Sequence, residues 1–183
     1  YQHFNGSGQE PARLSSTNNM PMIMNVFHDY DFVFNNNTRF PSREGTADYY
    51  AGEGLFIPKR PGRHMWETNF VPDLATFELQ TWEARGAGGS NIMFVLADGA
   101  MHAHMSEMPV GTYKKGHRHG ADFHVMCATG YGYSLLWYEG DEDFTRVDWS
   151  HGTVFAPPDM MFHQHFNAAP NPTRYLAIAC GGL

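Results

Sequence analysis

Apolar and aromatic residues fall into short runs from Asn91 onward, and each run is closed by Gly, Pro, Asn or Asp. "NIMFVLA" predicts a strand, "DG" predicts a tight turn, and "MHAHMSEMPVG" predicts a second strand. Similar runs continue to "TRYLAIACGG", with turn signals roughly 8 to 12 residues apart. Since strands do not alternate with helices, the pattern predicts an all-β antiparallel barrel or sandwich and disfavours a parallel doubly wound sheet.

The N-terminal third has no comparable pattern. "NGSGQEP" and "FNNNTRFPSREGT" are rich in turn and loop residues. "MPMIMNVF" at 20–27 is apolar enough for a strand or a packed arm, and only the later "LATFELQTWEARG" has even a weak helical period. We therefore expect an irregular N-terminal extension before a barrel that begins near residue 66.

Composition and charge exclude several classes of protein. A hydrophobic share of 42% and a charged share of 17% are typical of a globular domain, and 15% aromatic residues suit a β-rich core. A net charge of −7 disfavours nucleic-acid partners, and no apolar run approaches the ~20 residues that cross a bilayer. The two cysteines form no disulfide framework. We expect a cytoplasmic protein with a small-molecule substrate, no nucleic-acid partner and no membrane association.

Histidine is the unusual residue. Eleven are present, and five of them lie in two short clusters: His117, His119, His124, His163 and His165. Residues two apart on a strand share a face, so both pairs with that spacing are candidate ligand pairs.

Three or four converging neutral imidazoles make a site for a first-row transition metal. Imidazole suits Fe(II), Ni(II), Cu(II) and Zn(II), and can serve Mn(II). A closed structural zinc site would usually recruit cysteine. Cys127 follows His124 by three residues and falls on the opposite face of a regular strand, so it is not counted as a ligand.

The first cluster resembles the first motif of the cupin family, G-x5-H-x-H-x3-4-E-x6-G. Gly111, His117 and His119 have this spacing, and His124 stands where the motif has Glu. The closing glycine is displaced by one position, because Tyr131 separates Gly130 from Gly132.

The second cluster resembles the second cupin motif, G-x5-P-x-G-x2-H-x3-N. Gly152, Pro158, His163 and Asn167 match it, and Met160 replaces the central glycine. About 19 residues separate the two motifs, which is usual for the family. The resemblance covers residues 66–183, and the two motifs together are specific.

The resemblance implies a double-stranded β-helix, the jelly-roll barrel of cupins, with a metal held by His117, His119 and His163. His124 would take the place of the glutamate ligand. Four neutral histidines leave a divalent site near +2, whereas a carboxylate would lower it to +1. Such a site favours an anionic ligand such as an enolate.

Several neighbouring residues have open roles. Tyr113 and Lys115 share a face with His117 if their strand is regular, so they are candidate catalytic residues, although surface positions are an alternative. His165 is a candidate catalytic residue or pocket wall. His102 and His104 share one strand face and line either the barrel mouth or a solvated or dimer-facing strand surface.

The first five residues, "YQHFN", repeat "HQHFN" at 163–167 with a single exchange, Tyr1 for His163. We interpret residues 1–20 as the tail of a preceding cupin-like repeat, with chance similarity as the alternative. Residues 21–65 would then be a connecting or wrapping arm, and 66–183 the barrel.

Three functions fit these features. The first is a non-haem Fe(II) dioxygenase acting on a small phenolic, carboxylate or diketone substrate. The second is a redox-neutral Mn- or Zn-dependent decarboxylase, isomerase or lyase, in which Lys115, Tyr113 or His165 moves protons. The third is a metal-containing binding barrel without turnover. We expect a homodimer, or pairing with a preceding barrel.

Overall fold

The computed structural model describes residues 3–37, 51–52, 54–60, 63–68, 70–81, 88–96, 101–120 and 123–180. Two helices come first, α1 (Met20–Phe27) and α2 (Tyr30–Phe34). The strands follow in this order: β1 (Leu55–Arg60), β2 (Arg63–Glu67), β3 (Gln80–Thr81), β4 (Ser90–Leu96), β5 (Met101–Met108), β6 (His124–Thr129), β7 (Tyr131–Trp137), β8 (Thr145–Ser150), β9 (Val154–Phe155), β10 (Phe162–Asn167) and β11 (Thr173–Cys180).

Within these ranges the strands form two sheets. The larger sheet has the order β1-β2-β4-β5-β11-β6-β9, with β3 paired to β4, and the smaller has the order β10-β7-β8. β2 and β4 run parallel, and every other paired strand is antiparallel. Because β5, β11 and β6 are neighbours although they are distant in sequence, the chain crosses between the sheets. The predicted all-β jelly-roll barrel is confirmed.

The larger sheet is covered on both faces. Met108, Cys127 and Tyr175 belong to an interior cluster that also contains Trp149 of the smaller sheet. The opposite face carries a second cluster centred on Phe94 and Met105. Side chains that precede β3 in the chain pack against it: Trp66, Val71, Leu74, Phe77 and Leu79. Alternation along β5 and β11 thus sends successive side chains to two separate cores.

The side chain of Arg174 connects the residues that pack on the outer face of the larger sheet to the sheet itself. Its Nε donates to Glu107 Oε2 at 2.7 Å, and its Nη1 donates to the carbonyl oxygens of Leu74 and Phe77 at 3.1 and 2.9 Å. These contacts hold the segment before β3 against the end of β5 and the beginning of β11.

The N-terminal region contains more regular structure than its pattern indicates. The segment 20–27 is a helix rather than a strand, with Pro21 in its first turn and His28 ending it in the left-handed conformation. Asp29 caps α2 by accepting from Phe32 N at 3.0 Å. Of the weakly helical segment 74–86, residues 74–81 form a turn and β3, and the remainder lies outside the described residues. Periodicity over so few residues was too short to separate helix from strand.

Contacts divide the chain into two compact units, Tyr1–Asn36 and Asn37–Leu183. The predicted division into a repeat tail (1–20), a connecting arm (21–65) and a barrel (66–183) stays a prediction; β1 and the first residues of β2 fall within that arm and belong to the larger sheet. Neither helix within the described part of the chain has the length and apolarity needed to cross a bilayer.

Part of the predicted repeat lies outside the described residues, because Tyr1 and Gln2 are not among them. Its last residue can be compared. Ser7 N donates to Asn5 Oδ1 at 3.0 Å, and Ala169 N donates to Asn167 Oδ1 at 2.8 Å. Both asparagines therefore stabilise a turn two residues downstream. The preceding barrel itself stays a prediction.

Candidate metal centre

Three histidines converge inside the barrel: His117, His119 and His163. Their candidate ligand nitrogens lie within 4.8 Å of one another. The ring centroids of His117 and His163 are 4.4 Å apart, and that of His119 lies 4.9 Å from His163. Two metal–imidazole bonds of about 2.0–2.1 Å span at most about 4.2 Å, so a modest inward movement of the rings lets the three nitrogens share one metal ion. The barrel therefore holds a three-histidine group able to bind a metal.

Backbone carbonyls orient two of the three rings. Nδ1 of His117 lies 2.9 Å from Lys115 O, and Nδ1 of His163 lies 3.1 Å from Met161 O. A carbonyl only accepts, so each Nδ1 carries a proton and each Nε2 keeps its lone pair for a metal. His119 Nδ1 is buried and has no hydrogen-bond partner among the described residues. An unpartnered buried ring nitrogen and two oriented lone pairs fit a divalent transition metal.

A one-residue irregularity places His117 in this group. Tyr113 forms a bridge with Phe166, so a regular antiparallel ladder would set His117 opposite Phe162. His117 instead pairs with His163, and its N–H donates to His163 O at 3.1 Å. Residues 114–116 therefore contain one extra residue, as in a β-bulge.

The irregularity separates the catalytic candidates of the first cluster. Tyr113 is 48% exposed, and its ring lies 5.8 Å from that of Phe166, on the outward side of β10. Lys115 is also exposed. Their predicted common face with His117 required a regular strand and is not formed. Neither side chain lines the cavity at the three-histidine group.

Lys114 occupies the inward position instead, and only 2% of it is exposed. Its N–H donates to His165 O at 2.9 Å. The sequence pattern did not indicate Lys114, because a regular strand would place Lys115, and not Lys114, on the same face as His117. Gly116, which follows Lys115, could have indicated an irregular strand, because glycine within a strand often marks a bulge.

The structure does not bring His124 to the other three histidines. His124 begins β6 and is exposed, whereas the next residue, Val125, lines the cavity. Successive strand residues point to opposite faces, so His124 points outward. The cupin glutamate position is thus outside the group in this barrel, and a fourth ligand from His124 stays a prediction.

A narrow cavity opens beside the three-histidine group. It offers about 10 Å³ to the centre of a water-sized sphere, which is the space of one water or one ion. His104 and His165 line it, so His104 belongs to the wall, one of its two predicted locations. The ring centroid of Phe123 lies 5.3, 5.4 and 4.7 Å from those of His102, His104 and His119, and its ring narrows the cavity.

His165 lies on the same face of β10 as His163 and is hydrogen-bonded on the side away from the cavity. Its Nδ1 is 2.6 Å from Ser134 Oγ, and Trp149 Nε1 donates to that oxygen at 3.0 Å. Burial, followed by the nearby charges of His163, His117, Lys114 and His119, holds the pKa of His165 well below its ordinary value. The ring is therefore neutral near pH 7.

Met160 occupies the position of the motif glycine in the left-handed region, with φ at 56°. Its N–H donates to His119 O at 3.2 Å, so this turn supports a ligand residue. We expect Met160→Gly to raise the free energy of unfolding by about 0.5–1 kcal/mol, because glycine adopts this conformation without steric cost. Thermal melts can measure the change. Asp159→Gly, at ordinary φ, should lower stability, and equal effects of both substitutions would contradict the explanation.

Cys127 is buried against the interior cluster, and burial raises its pKa to about 11 from 9.0. Its thiol is therefore protonated at neutral pH and a poor nucleophile. The unfolded chain loses this proton first, so we expect the free energy of unfolding to fall as pH rises from about 9 to about 11. Denaturant titrations should show this slope, and Cys127→Ala should reduce it. An unchanged slope would refute the assignment.

Comparisons with known proteins find similarity among solved structures alone. No family model matches the chain, and no curated protein sequence is significantly similar to it. Among solved structures, peruvianin-I, a cysteine peptidase from Thevetia peruviana latex, shares the fold with a TM-score of 0.51 at 13% identity, over 78% of each chain. A cupin 2 barrel protein from Rhodopseudomonas palustris aligns at 23% identity over 69% of this chain and 79% of that one, with a TM-score of 0.48. A cupin-2 domain from Rhodospirillum rubrum aligns at 15% identity over 56% and 68%, with a TM-score of 0.48.

Strand order thus defines an all-β jelly-roll barrel, as predicted, and the sequence motifs within it resemble those of cupins. The interior of this barrel carries three histidines able to hold a divalent metal.

Proposed function

We propose that the protein is a metal-dependent cupin enzyme, a non-haem Fe(II) dioxygenase acting on a small phenolic, carboxylate or diketone substrate. The observation that supports it is the three-histidine group, whose ligand nitrogens lie within 4.8 Å of one another. Three protein ligands leave several coordination positions open. A bound Fe(II) would supply Lewis acidity and electron transfer between substrate and O2.

The protein's own residues account for binding and exclusion of water. Neutral imidazoles leave the full metal charge available to an anionic substrate. Apolar side chains in its wall, including those of Phe123 and Tyr175, limit the access of water to the cavity and so strengthen that attraction. In a dioxygenase both atoms of O2 enter the product, so no separate reductant is needed.

The redox-neutral alternative has less support in this site. Tyr113 and Lys115, two of its three predicted proton carriers, are exposed and do not line the cavity. Cys127 also offers no acid–base or nucleophilic group at neutral pH, because its pKa lies at about 11.

The decisive experiment combines elemental analysis with oxygen uptake. We expect the purified protein to retain a transition metal, and the Fe(II)-loaded form to consume O2 with catechols, hydroxy acids or β-diketones. Label from ¹⁸O2 should enter the product. Less than about half occupancy by any transition metal, under loading conditions typical for such sites, would contradict the metal centre.

Strictly anaerobic assays separate the remaining functions. Turnover without O2 in the Mn(II)- or Zn(II)-loaded protein would refute the dioxygenase and support the redox-neutral enzyme. Metal binding without turnover under either condition would support the binding barrel.

A further inference from the structure

Three buried side chains from three adjacent strands form a continuous hydrogen-bonded chain that ends at the cavity. Trp149 of β8 donates to Ser134 of β7, and Ser134 contacts His165 of β10. Ser134 and His165 are directly opposite in the β7–β10 register. Their exposed fractions are 0% and 3%, so water does not compete for these bonds.

The number of protons on each group determines which atom donates in each of these hydrogen bonds. The indole N–H of Trp149 can only donate, so Ser134 Oγ accepts from it. Ser134 has one hydroxyl proton, and the acceptor in reach among the described residues is His165 Nδ1, at 2.6 Å. Nδ1 is therefore the acceptor of a neutral ring, and the ring proton lies on Nε2.

This tautomer gives His165 a different role from its neighbour two residues earlier. His163 donates through Nδ1 to a carbonyl and keeps a lone pair on Nε2. His165 has the reverse arrangement, so its Nε2–H cannot coordinate a metal. Its ring lines the cavity 5.5 Å from the ring of His163, and Nε2 forms no hydrogen bond with a described residue.

We propose that His165 is a fixed hydrogen-bond donor for an anionic oxygen ligand, a carboxylate or enolate, bound beside the three-histidine group. The proposal rests on the proposed metal function. No carboxylate of the described residues belongs to the three-histidine group, so a divalent metal bound there would keep its full charge. His165 is 3% exposed, and a donor held in such a buried site binds an anion more strongly than it would in water.

The first test needs no substitution. Nitrogen-15 NMR of the histidine side chains, in metal-free and Zn(II)-loaded wild-type protein, reports which nitrogen of His165 carries the proton. We expect a protonated Nε2 and an unprotonated Nδ1. The reverse assignment overturns the proposal.

The second test measures azide binding to the Co(II)-loaded protein by its visible absorption. His165→Phe keeps a planar ring but removes the donor, so azide affinity should fall about tenfold or more with cobalt content unchanged. His165→Gln retains an N–H donor and should recover most of the affinity. Gln164→Ala, on the outward face of the same strand, is the matched control and should leave affinity unchanged.

Ser134→Ala tests the chain that orients the ring. Without the hydroxyl, Nδ1 loses its donor, so we expect a second tautomer in the NMR spectrum and weaker azide binding. A single unchanged tautomer would show that Ser134 does not position the ring.

The outcomes separate the two proposals. A wild-type protein that binds no cobalt refutes the metal function, and the tautomer then decides the donor assignment by itself. Cobalt bound normally, with equal azide affinity in wild type and His165→Phe, overturns this inference alone. Loss of cobalt in His165→Phe also overturns it, because His165 would then be a ligand.

Discussion

Replacing His163 with alanine is expected to lower the affinity of the barrel for Fe(II) or Co(II) by at least about a hundredfold. Changes to groups that only orient ligands typically cost 10–100-fold, so removing a ligand belongs at or above that range. His163 is also the central member of the group, since its ring is close to those of His117 and His119. Metal content after dialysis and calorimetric titration can measure the loss.

Two substitutions test the ligand assignment further. Gln164→Ala, next in the strand and outward-facing, should keep the metal, as should His165→Ala. His124→Ala distinguishes the three-ligand group of the structure from the four-ligand set predicted from the cupin motif. Loss of metal in this variant would restore the four-ligand set. Loss in His165→Ala with retention in His163→Ala would refute the centre as described. Circular dichroism should show that each variant is folded.

Replacing Asn167 with alanine is expected to lower the free energy of unfolding by about 3–5 kcal/mol. Its amide nitrogen lies 3.0 Å from the carbonyl oxygens of Met108, Pro109 and Asn171, so its two N–H groups are shared among three acceptors. Its Oδ1 accepts from the backbone of Ala169 and the hydroxyl of Thr173, both at 2.8 Å. Alanine would leave buried donors and acceptors unpaired across three segments of the barrel, and unpaired buried groups are costly.

Denaturant unfolding followed by tryptophan fluorescence can measure this loss. Asn171→Ala is the matched control, because Asn171 contributes only its backbone carbonyl and its side chain is exposed. Its effect should remain within about 0.5 kcal/mol. A loss below about 1 kcal/mol for Asn167→Ala would show that water or a rearranged turn replaces the amide.

The motif spacing was sufficient to predict the barrel and the three converging histidines. Those positions follow from strand alternation and from turns with strong sequence signals. Met160 is an instructive departure, because it keeps the left-handed backbone of the motif position without glycine. The left-handed backbone conformation at this position is therefore kept even when the residue is not glycine.

Strand parity failed where the backbone is irregular. The extra residue between Tyr113 and His117 sends Lys114 inward and leaves Tyr113 and Lys115 exposed. A side-chain period of two cannot show a bulge of one residue, since the apolar pattern around it is too short to reveal the shift. The position of His124 likewise depends on where β6 begins, and strand ends are poorly determined by pattern.

The hydrogen-bonded chain at His165 could not have been found from sequence. Ser134 is about thirty positions from His165 and lies in a run of apolar and aromatic residues, without any motif of its own. Only the pairing of β7 with β10 brings the two together.

The partners of the metal-site histidines differ in how readily evolution can alter them. His117 and His163 are oriented by the main chain of Lys115 and Met161, so no single codon change removes either oxygen. Substitutions at positions 115 and 161 therefore leave the hydrogen bonds that orient these two rings in place. His165 depends on the side chain of Ser134, which one nucleotide change can replace. Descendants of this barrel can thus diversify at the cavity wall while the three-histidine group is conserved.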